Sequence, residues 1–403
     1  MSKVLISFLG TAQPKDRQYR TAKYHFHDGR EIESSFVASA LREYYDIDRL
    51  ILVGTVKSMW EEVYRTFVDK DNVDENYYIQ LSDHCLSADH NSELLLPNVD
   101  LLESAIGCGS KVVLIHYGLT ESEIKENSEI ILGIEQYLSK NDEIYVDITH
   151  SFRSLPMFLM NTLIYLQNVS NKHISVKHIT YGMLDVSEEM GYTPIVELND
   201  IMAMNAWITG AYSFKEYGNA YTVAELINDQ SVSSKLTKFS DLMNLNHLSG
   251  IEKQQQELAG LKNKEYDSQL PKMLIEPIVG EFIDKFKNRT HSEFQIKLAR
   301  WQMEHKNYAS AYISLIEGIV TYLCESNDLS WNGYDERERM KDVLKGKLSG
   351  YVVDSELIQI YKDSNRLRNS VAHSIATAEN YKAMIITLKN SISALEKILK
   401  IKK

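Results

Sequence analysis

The most constraining feature of this 403-residue sequence is an alternation of short apolar runs and helical patterns in its first half. The runs are rich in β-branched residues and end at Gly, Thr, Asp or charged residues, which is typical of buried strands. Helical spacing of apolar residues predicts helices between them, over 33–45, 124–138 and 151–167. Buried strands that alternate with helices predict an α/β domain with a doubly wound parallel sheet. The predicted strands are Val4–Leu9, Leu50–Val53, Lys111–His116, Glu143–Ile148 and Ile174–Tyr181.

The pattern changes near Pro194, and from there to the end the sequence predicts helices without strands. Residues 198–270 are polar and helix-forming, and clearly amphipathic helices follow after Pro271. The predicted fold class is therefore α/β followed by all-α. We expect three parts: a doubly wound ligand-sensing domain over 1–195, a helical connector over 196–270 and an all-helical domain over 271–403.

Charge is distributed unevenly between these parts. The whole chain carries a net charge of −12, which argues against a protein that simply coats nucleic acid. Residues 271–403, however, contain 21 Lys and Arg against 17 Asp and Glu, so this part is mildly basic and the remainder carries −16. Such asymmetry is typical of domains that have different partners.

The cysteines and the apolar runs indicate the compartment. Cys85, Cys108 and Cys324 are far apart and form no CxxC pair, so the sequence predicts neither a disulfide framework nor a zinc ribbon. The first apolar run is too short for a signal peptide, and no later run reaches the length of a membrane span. We therefore expect a cytoplasmic protein that does not contact a membrane.

The sharpest chemical signal is the segment Arg368-Asn369-Ser-Val-Ala-His373. Asn369 and His373 each follow an apolar residue, Leu367 or Val371, by two positions. Two residues turn a helix by about 200°, so Asn369 and His373 point away from the stripe to which these apolar residues belong. They share a face because they are four residues apart. This face suits metal-free RNA cleavage, since His acts as general acid or base and Arg stabilises charge on phosphoryl oxygens. The alternative is a solvated helix face. The stripe consists of Leu357, Ile360, Leu367 and Val371.

The segment resembles the motif of HEPN ribonucleases, in which Arg and His are separated by four to six residues on a helix, often with Asn after the Arg. The resemblance implies that Arg368, Asn369 and His373 are catalytic and that the substrate is single-stranded RNA. It also implies that two copies of the motif meet in a homodimer or a higher even-numbered assembly. Cleavage would require no metal and would leave 2′,3′-cyclic phosphate ends.

A second group of polar residues follows the predicted strands, where doubly wound sheets bind ligands. Helix N-termini at this edge supply free N–H groups for phosphate, and Ser151 is a candidate N-cap of the helix that follows. The sequence has neither GxGxxG after the first strand nor GxxxxGK[ST], which argues against the usual dinucleotide and P-loop sites. The candidate ligand-binding residues are Gly10, Thr11, Ala12, Gln13, Thr55, Thr149, His150, Ser151, Phe152 and Arg153.

The segment Asp147-Ile-Thr149-His150 resembles the Asp-x-Thr-His-Gly signature of CRISPR-associated Rossmann-fold (CARF) proteins, with Ser151 in place of the usual Gly. The order CARF then HEPN resembles that of the ancillary ribonucleases of type III CRISPR systems. The resemblance implies allosteric activation by a cyclic oligoadenylate, most commonly cyclic tetra-adenylate, bound between paired CARF domains. It implies no cofactor and no metal.

Other interpretations stay open from the sequence. The strand-end residues could form an ordinary satisfied turn. The CARF site could also cleave its activator, with Thr11, His150 or Ser151 orienting the attacking 2′-hydroxyl. The protein could instead be a nucleotide sensor without enzymatic activity. The loop over 19–29 could cover a nucleotide, with Tyr24 stacked on a base.

Overall fold

The computed structural model describes residues 2–12, 19–150, 152, 154–261, 269–373 and 381–401. The chain forms two compact units, Met1–Met202 and Ala203–Lys403. The first unit contains a sheet flanked by helices, and the second unit is helical throughout its described elements. The predicted fold class, α/β followed by all-α, is confirmed.

One sheet of eight strands runs through the described part of the first unit. Its strands are β1 (Lys3–Leu9), β2 (Ala22–His25), β3 (Glu31–Ser34), β4 (Arg49–Gly54), β5 (Lys111–Leu114), β6 (Glu143–Asp147), β7 (Ser175–Gly182) and β8 (Thr193–Glu197). The strand order is β3-β2-β8-β7-β6-β1-β4-β5. The five neighbours from β7 to β5 are mutually parallel, and they are the five strands that the sequence predicts.

Helices cover both faces of the parallel strands, and the side chains of β1 alternate between the two cores as strand geometry requires. Leu5 and Leu9 pack on one side with α1 to α4, whereas Val4, Ile6 and Phe8 pack on the other with α5 and α6. Each such buried side chain contributes about 1.5–3 kcal/mol, which fixes the register of the central strand. The helices of this unit are α1 (Val37–Tyr45), α2 (Trp60–Phe67), α3 (Glu75–Ser87), α4 (Val99–Ile106), α5 (Glu121–Leu132), α6 (Leu155–Asn168) and α7 (Ser187–Met190).

Three strands, β2, β3 and β8, lie outside the prediction. β2 and β3 pair antiparallel, and β8 joins them to the parallel strands by pairing antiparallel with β7 and parallel with β2. These strands are short and carry polar residues, so their apolar periodicity is weak. Strand β2 places Tyr24 in the core, where it is only 1% exposed. The suggested stacking of Tyr24 on a bound base is therefore wrong.

The described helices of the second unit enclose two apolar cores that share α13. One core combines α8 to α12 with one face of α13, and the other combines the opposite face of α13 with α14 to α17. Residues 207–261, which lie within the expected connector over 196–270, thus pack into the same core as the start of the predicted helical domain. These helices are α8 (Asp200–Tyr217), α9 (Tyr221–Leu226), α10 (Gln230–Asn244), α11 (Leu248–Ala259), α12 (Gln269–Lys285), α13 (His291–Glu304), α14 (Tyr308–Ser326), α15 (Tyr334–Leu344), α16 (Ser355–His373) and α17 (Tyr381–Ile398).

Across the described ranges, no helix is both long enough and apolar enough to span a membrane. The same ranges contain no cluster of three or more His, Cys, Asp or Glu side chains that would hold a metal ion. The three cysteines are unpaired, with Cys85 and Cys324 buried and Cys108 exposed.

Candidate functional site

The carboxyl ends of three neighbouring strands, β6, β1 and β4, form a rim at one edge of the sheet. Leu9 pairs in register with Gly54, and Ser7 pairs with Asp147, so the segments that follow these strands emerge side by side. The rim thus brings together Gly10 and Thr11 after β1, Thr55 after β4, and Thr149 and His150 after β6. A cavity of about 140 Å³ lies among these segments, lined by residues of all three.

The buried side chain of Asp147 holds the turn after β6 by hydrogen bonds. Its side chain is fully buried and accepts hydrogen bonds from Ser7 Oγ at 2.6 Å, Thr149 N at 3.0 Å and Thr149 Oγ1 at 2.5 Å. Thr149 Oγ1 in turn accepts a hydrogen bond from Gly182 N at 2.7 Å, which ties β6 to the end of β7. Burial raises the pKa of Asp147, and the hydrogen bonds from Ser7 and Thr149 oppose that rise. Asp147 therefore fixes the turn and does not face a ligand.

His150 packs directly against the end of β1. A Cβ atom on Gly10 would lie 3.0 Å from His150 Nδ1, so only glycine allows this approach without displacing the ring. His150 lines both the rim cavity and a second cavity of about 580 Å³ beside β2 and β8. Burial lowers its pKa, although the nearby Asp147 charge acts in the opposite direction. The ring is therefore neutral at pH 7 and can accept a proton.

Ser58 joins the ends of β1 and β4, a role that the sequence does not reveal. Its Oγ donates to Leu9 O at 2.8 Å and accepts from Thr55 N at 3.1 Å, and the side chain is 1% exposed. Trp60 Nε1 donates to Thr55 O at 2.8 Å and adds a third link. Thr55 is consequently buried at 4% exposure, and its hydroxyl lies 3.4 Å from Ser58 Oγ.

The remaining predicted rim residues fall into two groups. Thr11 and Ala12 are exposed at the mouth of the rim, and Phe152 is exposed with its ring 5.6 Å from that of Tyr117. Three of the predicted residues, Gln13, Ser151 and Arg153, lie outside the described residues.

Helix α6 begins at Leu155, four residues after the predicted start at Ser151, and the preceding residue is Ser154. The later start places Pro156 in the first turn, where its missing N–H costs no helical hydrogen bond. The prediction that Ser151 is the N-cap is therefore wrong.

The second candidate site lies on α16. Leu357 and Ile360 are buried in the core between α14 and α17, and Leu367 and Val371 pack against it, so the predicted apolar stripe is confirmed. Asn369 is exposed, as expected for a residue opposite the stripe.

Arg368 is half-buried, and its Nη2 donates to Asn365 Oδ1 at 3.2 Å. The side-chain amide of Asn365 is uncharged. Among the described residues, the Arg368 guanidinium forms no hydrogen bond to a carboxylate. His373 ends α16, and its side chain lies outside the described residues. The helix thus presents a cation and an amide on one surface, one turn before His373.

Arg300 on α13 and His305 directly after it are residue types common in catalytic sites, but both contact other protein groups. Arg300 forms a bidentate ion pair with Glu396 of α17, at 2.9 and 2.6 Å, and also donates to Ser393 Oγ at 2.8 Å. His305 Nδ1 lies 2.7 Å from Trp301 O, and the two rings stack with centroids 4.2 Å apart. The contacts of Arg300 link α13 to α17.

Comparison with known families gives one match in each of the two units. Residues 4–185 match the family described as the CARF domain of the CRISPR system endoribonuclease Csx1. Residues 203–293 match the second domain of the CRISPR-associated protein MJ1674. The second match begins where the two compact units divide, after Met202.

Two individual proteins are similar to this chain. CRISPR-associated protein MJ1674 of Methanocaldococcus jannaschii is 35% identical, with the alignment covering 93% of this chain and 62% of that protein. This chain therefore spans less than two thirds of that relative. The structure of Enterococcus italicus Csm6 bound to cyclic hexa-2′-fluoro-hexa-dAMP aligns over 99% of this chain and 94% of that chain, at 13% identity. Its TM-score of 0.34 does not establish a common fold.

Proposed function

We propose that this chain, whose residues 4–185 match a CARF domain, is an endoribonuclease of type III CRISPR defence activated by a cyclic oligoadenylate. The observation that carries the proposal is the CARF match over residues 4–185 in a chain whose helical unit presents Arg368 and Asn369 one turn before His373. The cytoplasm, where such defence takes place, is the compartment we assign to it.

The rim supports binding of a cyclic oligoadenylate, most commonly cyclic tetra-adenylate. Thr11 offers an exposed hydroxyl and backbone N–H, and the neutral His150 can exchange hydrogen bonds with phosphate or ribose. The N-terminus of α6 adds partial positive charge at the same edge. Because residues 1–270 carry a net charge of −16, these local groups must outweigh the average field of the domain. That balance favours a small ligand over a long RNA.

The helical unit supports cleavage of single-stranded RNA. In the proposed reaction, the 2′-hydroxyl gives its proton to a His373 imidazole and attacks the adjacent phosphorus. The new O2′–P bond forms as the P–O5′ bond breaks, and a proton reaches the leaving 5′ oxygen. Arg368 stabilises the phosphoryl oxygens, and Asn369 orients the phosphate. The products are a 2′,3′-cyclic phosphate and a 5′-hydroxyl, and no metal takes part.

Two copies of the motif make one composite site in this proposal, which therefore requires a homodimer or a higher even-numbered assembly. General acid and general base are then supplied by His373 of the two copies. The net charge of +4 over residues 271–403 favours contact with RNA at this end of the chain.

The test separates cleavage from binding. We expect His373→Ala and Arg368→Ala to abolish cleavage of labelled RNA while leaving the affinity for cyclic tetra-adenylate unchanged. Lys362→Ala, an exposed position on the same helix, serves as the matched control and should retain activity. Reactions in EDTA should proceed normally, and mass spectrometry should detect 2′,3′-cyclic phosphate ends. Full activity of the His373 variant would refute the assignment.

A second activity at the rim is favoured by one observation, the neutral His150 held against Gly10 between two cavities. A neutral imidazole there can take the proton of a ribose 2′-hydroxyl, so the CARF site would also open its own activator. Incubation of labelled cyclic tetra-adenylate with the His373→Ala variant, followed by chromatography, tests this activity. An intact ring at the end of the incubation excludes it, and the protein is then a sensor only at this site.

A further inference from the structure

The guanidinium of Arg368 is held by an uncharged partner on its own helix. Among the described residues, its hydrogen bond goes to the side chain of Asn365, one turn earlier on α16, with 3.2 Å between Nη2 and Oδ1. Both side chains are half-buried. Helical side chains lean over the preceding turn, and residues three positions apart are neighbours on the helix surface. Asn365 therefore limits the rotamers that the long Arg368 side chain can adopt.

The carboxylates near Arg368 are paired with other cations. Burial raises the pKa of the Tyr361 hydroxyl on the same helix; the charge of Arg368 opposes this rise, and three carboxylates of α14 and α15 add to it. Arg368 and these carboxylates thus lie near one tyrosine. Among the described residues, the guanidinium still donates to no carboxylate, so its charge is available to a bound anion. The three ion pairs are Glu317 with Arg337, Glu338 with Lys341 at 2.9 Å and Asp342 with Lys347 at 3.9 Å.

We propose that Asn365 is a positioning residue for RNA cleavage, which orients the Arg368 guanidinium towards the scissile phosphate without neutralising it. The inference rests on the proposed function, in which Arg368 stabilises the phosphoryl oxygens. A guanidinium that is oriented before the substrate binds loses less rotamer freedom on binding and reorganises less in the transition state. A carboxylate in place of the amide would form an ion pair with Arg368 and compete with the phosphate for the same N–H groups.

Removing the amide should lower the rate of the chemical step and leave the fold intact. We expect Asn365→Ala to lower kcat for labelled RNA about 10- to 100-fold, because a misplaced catalytic group costs rate of that order. KM should change little, since Arg368 acts on charge that develops in the transition state. Alanine is a better helix former than asparagine, so the melting temperature should stay the same or rise. A merely structural role would lower the melting temperature instead.

Two conservative variants separate orientation from charge. Asn365→Gln keeps an amide oxygen within reach of Arg368 and should retain most of the activity. Asn365→Asp keeps an acceptor but adds a negative charge, so its kcat should fall as in Asn365→Ala. Gln359→Ala is the matched control, because it removes a 2.8 Å side-chain hydrogen bond to Asp363 on the same helix without touching Arg368, and it should cleave like the wild type.

The assays use the full chain with saturating cyclic tetra-adenylate, and circular dichroism checks that each variant folds. If the wild type cleaves no RNA, the proposed function and this inference both fail. If the wild type cleaves and Arg368→Ala does not, but Asn365→Ala keeps the wild-type kcat, the role of Asn365 is refuted and the proposed function stands. Equal losses of kcat in Asn365→Ala and Gln359→Ala would also refute it. A wild-type kcat in Asn365→Asp would refute the requirement for an uncharged partner.

Discussion

Replacing Ser58 by alanine should loosen the rim more than the loss of one oxygen atom suggests. The substitution leaves Leu9 O without its 2.8 Å donor and Thr55 N without its 3.1 Å acceptor, in a position that is 1% exposed. A buried group left without a hydrogen bond costs about 1–3 kcal/mol. Two such groups should lower the free energy of unfolding of the first unit by about 2–6 kcal/mol.

Chemical denaturation followed by circular dichroism measures this loss, and hydrogen exchange locates it. The amide of Thr55 should exchange faster in Ser58→Ala than in the wild type, because its acceptor is gone. Ser122→Ala provides the control, since Ser122 is exposed on α5 and its hydroxyl bonds only Glu126, so the change should stay within about 0.5 kcal/mol. Equal stability losses in the two variants would refute the assigned role of Ser58.

Three further predictions concern the rim and the helical core. Gly10→Ala should lower the affinity for cyclic tetra-adenylate about tenfold, because its Cβ would lie 3.0 Å from His150 Nδ1; unchanged calorimetric affinity would contradict this. Burial raises the pKa of Asp147, so its contribution to stability is complete below its unfolded pKa and is lost as pH rises through the folded pKa. Asp147→Asn should remove this pH dependence of stability. Curves of unfolding free energy against pH that run parallel for the variant and the wild type would contradict the prediction. Arg300→Met leaves the largely buried Glu396 carboxylate without its partner, so the free energy of unfolding of the second unit should fall by about 3 kcal/mol. Urea denaturation measures this value, and an unchanged free energy of unfolding would contradict the prediction.

The parts of the fold that follow from the sequence are those with strong local patterns. The strands β1, β4 and β6 are runs of mainly apolar residues buried on both faces, so their positions show in the sequence. The stripe of α16 shows equally well, because Leu357 and Ile360 keep helical spacing over several turns. The strand-end position of Gly10 and Thr11 then follows, since parallel strands end at a common edge.

What the sequence does not show depends on contacts between distant segments. The bond from Ser58 to Leu9 joins residues 49 positions apart, and nothing local distinguishes Ser58 from a surface serine. Glu61 is similar, because a glutamate in the first turn of a helix is normally exposed at the favourable end of the helix dipole. Its burial comes from the packing of α2 against α3, which brings Cys85 to the carboxyl group, and from Tyr19 before β2, whose hydroxyl donates to it.

The position of Pro156 in the sequence indicates where α6 starts. A helix capped by Ser151 would place Pro156 at its fifth position, where the missing N–H and the ring would break the hydrogen-bond pattern. Starting at Leu155 avoids this conflict. The short strand β2 could not be predicted in the same way, because only its pairing with β3 and β8 makes Tyr24 a core residue.

In the proposed function a ligand at the rim controls cleavage at α16, and the ratio of RNA cleavage rates with and without cyclic tetra-adenylate tests this control most directly. Measured on the full chain in EDTA, with His373→Ala as the blank, saturating ligand should raise the rate about 5- to 150-fold, the range of ordinary allosteric coupling. Equal rates with and without the ligand, or cleavage that persists in the His373 variant, would contradict the account.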